Sequence, residues 1–76
     1  MENWTPEQRA EFMEKAEAIR NGFYGGLRKK TEAYHACFQH FAEFYPHVEG
    51  ISRRRRVKEI IRLTMDYMAP RLYADD

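Results

Sequence analysis

A chain of 76 residues is long enough for one domain and too short for two, and at this size only about 60% of the unfolded surface is buried on folding. Thirteen Lys and Arg stand against twelve Asp and Glu, so the formal charge of +1 offers no global excess for nonspecific nucleic-acid binding. The single cysteine, Cys37, excludes an internal disulfide framework and a multi-cysteine zinc site. No signal-peptide pattern is present, and no apolar run approaches the roughly 20 residues of a membrane span. A soluble, cytoplasmic protein is expected.

Trp4-Thr5-Pro6-Glu7-Gln8 reads as a helix start, with Thr5 as the cap, Pro6 in the first helical position and Gln8 closing a Thr-x-x-Gln capping box. Phe12, Ala16, Ile19 and Phe23 then recur at helical spacing, while Glu7, Glu11, Glu14 and Arg20 fall largely off that line. The spacing predicts a first helix over 6–21, closed by Asn21-Gly22 and Gly25-Gly26, whose residues tolerate left-handed backbone.

A second helix is predicted over 27–45, with Leu27, Tyr34, Cys37 or Phe38, Phe41 and Tyr45 in its stripe. Pro46 stops it, because the residue before a proline is pushed out of the helical region, and Pro46 to Gly50 reads as a loop. Ser52 caps a third helix over 52–68 with the stripe Val57, Ile60, Ile61, Thr64, Tyr67 and Met68. Pro70 ends it, leaving Arg71-Leu72-Tyr73 as a short turn and Asp75-Asp76 as a frayed acidic end.

Three amphipathic helices with short connections and no competing strand pattern predict an all-α protein, a compact three-helix bundle spanning 1–76 as a single helical domain with a short C-terminal turn. Phe12, Ala16, Ile19, Tyr34, Phe38, Phe41, Val57, Ile60, Ile61 and Met68 are its expected core.

The charges cancel in total but are segregated along the chain. Acids prevail in the first helix, Arg28, Lys29 and Lys30 are consecutive bases, and Glu32 to Glu49 contains acids and no base. Arg53, Arg54, Arg55, Arg56, Lys58 and Arg62 are then opposed only by Glu59. Arginines at a helix start oppose the helix dipole, by about 0.3 to 1 kcal/mol each at exposed sites, so helix propensity does not account for them. A local rule broken without local benefit points to a site.

Arg55, Lys58 and Arg62 share a face opposite the apolar stripe and are the first expected contacts for an anion, since guanidinium groups donate paired hydrogen bonds to phosphate or carboxylate. The competing reading is a solvated face, or pairing with the first helix's glutamates within the fold or across a dimer. If residues 28–30 pack near 53–56, they extend the basic surface.

Five Phe, five Tyr and one Trp exceed what a core this small readily holds, so some rings are expected at a binding surface, with Phe44 and Tyr45 the candidate neighbours of the arginines. His35, Cys37, His40 and His47 are poorly spaced for a metal, with Cys37 expected as a buried small hydrophobe and the histidines at the surface or boundary. No orienting third group accompanies Cys37 and His40, and the glycines lack the ending of a phosphate loop. Neither a cofactor nor enzymatic activity is expected.

The leading functional reading is a small non-enzymatic binding protein, of phage or mobile-element type, that regulates or inhibits a larger protein by docking an arginine- and aromatic-rich surface. Its site residues are Arg53, Arg54, Arg55, Arg56, Lys58, Arg62, Phe44 and Tyr45. The alternative is a DNA- or RNA-binding module using the basic third helix, and a homodimer joining acidic helix one to the basic block is a third.

Overall fold

The computed structural model describes residues 4–45 and 50–70. It consists of three α-helices, α1 (Pro6–Tyr24), α2 (Lys30–Phe44) and α3 (Arg53–Met68), with no strand among the described residues. The all-α three-helix architecture is as the apolar spacing predicts. The expected turn at 71–73, the acidic end at 75–76 and all of the expected loop but Gly50 lie outside the described residues.

Local chemistry sets most boundaries. The Thr5 hydroxyl accepts the Gln8 N–H at 3.1 Å and the Gln8 side chain accepts the Thr5 N–H at 3.0 Å, so the capping box starts α1 where the sequence places it. Ser52 caps α3 by accepting the Arg55 N–H at 3.2 Å. The first connection differs from expectation. Asn21 and Gly22 stay helical and the chain reverses at Gly26, whose φ of 77° is open to glycine at little cost. The Leu27 and Arg28 N–H groups both donate to the Gly22 carbonyl, so they close this turn and α2 begins only after them. Leu27 is therefore 86% exposed and belongs to no stripe.

Helix α2 is the central element, and α1 and α3 both pack on it. Ile19, Ala33, Cys37 and Met68 form the buried cluster, with Phe23, Tyr34, Phe41 and Tyr67 packed around it. Small residues at positions 33 and 37 let α1 and α3 approach α2 closely, which is why Ala33 and Cys37 are fully buried and the larger Tyr34 and Phe38 sit at the rim. At the other end of α2, Phe12 stacks on His40 at 4.4 Å, and Trp4, Phe41 and Phe44 pack against Phe12.

Three expectations about burial are corrected. Ile61 is 47% exposed, because α3 meets α2 along Ile60, Thr64 and Met68, and Ile61, the next position round the helix, lies at the edge of that contact, bordering a groove with Tyr34, His35 and Phe38. Thr64 is tolerated in that buried line because its hydroxyl donates to the Ile60 carbonyl at 2.8 Å. His40 is buried rather than at the boundary, with Nε2 bonded to the Phe12 carbonyl at 3.0 Å.

Arg20 is the third correction: it is buried, and it terminates another helix. Its Nε donates to the Tyr67 carbonyl and its Nη2 to the Ala69 carbonyl, each at 3.0 Å, and its guanidinium lies 4.8 Å from the Tyr24 ring centroid. The Tyr24 hydroxyl donates to the intervening Met68 carbonyl at 2.7 Å. Helix α3 has no basic residue in its own last turn, so α1 supplies the charge that its carbonyls and dipole favour.

Candidate docking surface

The basic block begins at the capped N-terminus of α3, and the structure divides its members into three groups. Arg56 turns back toward α2, where its Nη2 donates to the Ala42 carbonyl at 2.8 Å and its guanidinium lies 5.7 Å from the Tyr45 ring centroid. Ala42 carries one of the last carbonyls of α2, which also lacks a basic residue in its last turn. The arginine that opposes the dipole of its own helix thus satisfies the end of its neighbour, and its presence follows from packing.

Arg62 is held on its own helix, 3.1 Å from Glu59 and 3.4 Å from Asp66. The hydrogen bond with Glu59 and that residue's charge raise its pKa further above the ordinary arginine value. These are the two ion pairs formed among the described residues. The anion face expected from Arg55, Lys58 and Arg62 is therefore bordered by two carboxylates.

Arg53, Arg54, Arg55 and Lys58 form the third group; all are exposed and without an ion pair among the described residues. Arg54 and Lys58 align with Ile61 and Met65 at i, i+4, i+7 and i+11, within about 60° of the helix surface at 3.6 residues per turn. Ile61 and Met65 are 47% and 54% exposed, and they border a groove of about 220 Å³ with Tyr34, His35, Phe38 and Thr64. On the opposite flank of α3, Leu63, Asp66 and Tyr67 face Phe12, Phe41 and Tyr45 across a groove of about 390 Å³.

The two candidate aromatics are separated. Tyr45 lies under Arg56, whereas Phe44 packs edge-on against Trp4, Phe12 and His40 on the α1 side of α2. Arg28 to Lys30 do not extend the basic surface. They stand at the start of α2 while Arg56 meets its end at Ala42, about 18 Å along the helix from Lys30 at 1.5 Å per residue. The residues that sequence reasoning missed are Leu63 and Met65, and the signal was present: two large apolar side chains fall outside the assigned stripe.

Cys37 is buried, as expected of a small hydrophobe, and burial pushes its thiol up to about 11, which leaves almost no thiolate at neutral pH. Because the folded state favours the neutral thiol, this contribution to stability is complete below the unfolded value of 9.0 and is lost as pH rises through about 11. Denaturant melts across that window should therefore show the wild type losing about 2 to 3 kcal/mol relative to Cys37→Ala, at 1.36 kcal/mol per pKa unit. Parallel pH profiles for the two proteins would contradict the assignment.

Among the described residues, no three His, Cys, Asp or Glu side chains converge as metal ligands, and no helix is long and apolar enough to cross a membrane. No family model, curated protein or solved structure matches the chain.

Proposed function

We propose that this chain is a small non-enzymatic docking protein that regulates or inhibits a larger protein, using the surface of α3 to bind a partner that presents carboxylates beside apolar side chains. The observation that carries this reading is the line Arg54, Lys58, Ile61, Met65, in which two cations without ion pairs run directly into two exposed apolar side chains. Arginine and methionine beside Tyr34 and Phe38 match the composition favoured at protein interfaces. A cytoplasmic setting, in which the lone thiol stays reduced, and a phage or mobile-element type of regulator accord with this reading.

Nucleic acid is the second reading, supported by Arg53, Arg54, Arg55 and Lys58, which suit phosphate. It is disfavoured because a phosphate backbone gains nothing from Ile61 and Met65 and is repelled by Glu59 and Asp66 on the same helix.

The test uses two double variants, Arg54→Glu with Lys58→Glu and Ile61→Asp with Met65→Asp, each titrated against the partner captured by the wild-type chain. Both are expected to weaken binding by roughly tenfold or more, equivalent to about 1.4 kcal/mol, while melting close to the wild type. Wild-type affinity in both variants overturns the reading. So does steeply salt-dependent binding of oligonucleotides by the wild-type chain that the cation variant abolishes.

A further inference from the structure

The flank of α3 that carries Arg54, Lys58, Ile61 and Met65 is turned away from α1: the groove beside it is lined by α2 and α3 alone, with Tyr34, His35 and Phe38 on the α2 side. None of the carboxylates of these two helices stands along it. On α3, Glu59 and Asp66 lie about 110° or more round the helix from the middle of the line, and on α2, Glu32 and Glu43 lie about 120° or more from Phe38. The face is therefore cationic at the start of α3 and apolar beyond it.

Its size and its backbone restrict what fills it. At about 220 Å³ the groove is smaller than the roughly 300 to 1,000 Å³ of small-molecule pockets and has room for one large side chain. The line itself is long, running from Arg54 to Met65 over roughly 16 Å at 1.5 Å per residue. No strand edge is offered among the described residues, so an extended segment would find no backbone groups to pair with, whereas a helix brings its own backbone hydrogen bonds with it.

The two cations set the direction of such a helix. One lying parallel to α3 would bring its N-terminal N–H groups and the positive end of its dipole to Arg54 and Lys58, whereas an antiparallel one brings its unsatisfied carbonyls and negative end. The fold already contains the second arrangement. Helix α2 runs antiparallel to α3, and Arg56, from the same first turn as Arg54, donates to the Ala42 carbonyl near the end of α2 at 2.8 Å. Arg54 and Lys58, on the other flank, form no ion pair among the described residues.

Resting on the docking reading above, we propose that the partner element is an acidic amphipathic α-helix lying antiparallel to α3. One of its large apolar side chains enters the groove between α2 and α3, the rest of its apolar face covers Ile61 and Met65, and its C-terminal carbonyls and the carboxylates of its last turn meet Arg54 and Lys58. Carboxylates at that end are disfavoured by the dipole of their own helix, so they gain from cations supplied by another chain.

Three synthetic peptides of the same composition test this, each about 16 residues long so as to cover the line at 1.5 Å per residue, labelled at the N-terminus and titrated by fluorescence anisotropy. The first has leucines at i, i+4 and i+7 and glutamates in its last turn. In the second the glutamates occupy the first turn, and in the third the leucines are scattered round the helix. The first is expected to bind at least about tenfold more tightly than either of the others, and to lose roughly tenfold or more against Arg54→Glu with Lys58→Glu and against Ile61→Asp with Met65→Asp. All four positions are exposed, and circular dichroism checks that both variants remain folded.

Equal affinities for the three peptides, tighter binding of the second, no binding of the first up to millimolar concentration, or wild-type affinity in both double variants overturns the proposal. Self-association of the chain that both double variants abolish assigns the line to a second copy and overturns it as well. A captured partner that depends on both double variants, beside a first peptide no better than the others, removes the helix and leaves the docking reading intact. The reverse pattern, with the first peptide bound through these four residues and the captured partner indifferent to both double variants, removes only the docking reading.

Discussion

Replacing Arg20 with alanine is expected to destabilise the protein by about 3 to 4 kcal/mol, a large part of what holds a domain of this size together. The guanidinium is buried and makes two hydrogen bonds of 3.0 Å to the carbonyls of Tyr67 and Ala69. Hydrogen bonds from a charged donor contribute about 1.5 to 3 kcal/mol each, and truncation also leaves those carbonyls at the negative end of the α3 dipole without their cation. Arg20→Lys keeps the charge but not the fork that spans two carbonyls, and it should recover only part of the loss. Urea melts of the three proteins measure this directly, and a loss below about 1 kcal/mol in the alanine variant would show that water replaces the guanidinium without cost.

Truncating two adjacent isoleucines should give opposite results. Ile60 is fully buried against α2, so Ile60→Ala is expected to cost about 2 to 5 kcal/mol from lost burial and the cavity left behind. Ile61, 47% exposed, should cost less than about 1 kcal/mol when truncated, because only part of its apolar surface leaves water on folding. Chemical denaturation of both variants distinguishes the two positions. Equal losses would mean that α3 is rotated relative to the line Ile60, Thr64, Met68. Ile61→Ala is also the more informative variant for function, since it removes an apolar side chain from the proposed docking line while leaving the fold nearly unchanged.

The arginines of this chain are better understood by which helix end they approach than by how many there are. Arg20 from α1 closes α3, and Arg56 from α3 closes α2 through the Ala42 carbonyl. Both donors reach across from another helix, and neither recipient has a basic residue in its own last turn. Once Arg56 and Arg62 are assigned to structural contacts, the unpaired cations of the block reduce to Arg53, Arg54, Arg55 and Lys58.

The sequence by itself determined the three helices and most of their ends, because those features depend on neighbours in the chain. The Thr5 capping box, the Ser52 cap and the end of α3 before Pro70 need only residues three or four positions away. It also identified Phe12, Ala16, Ile19, Ile60 and Met68 as buried, since each lies near the centre of an apolar stripe. Where a stripe is wide, tertiary structure decides which edge is covered, and here α2 covers Ile60 fully and leaves Ile61 about half exposed. The separate fates of Arg53 to Arg56, the burial of His40 and Arg20, and the distance of Arg28 to Lys30 from the basic block were likewise settled only by packing. Each depends on a carbonyl or a ring contributed by another helix, and helical periodicity records which face of a helix is apolar without recording what that face meets.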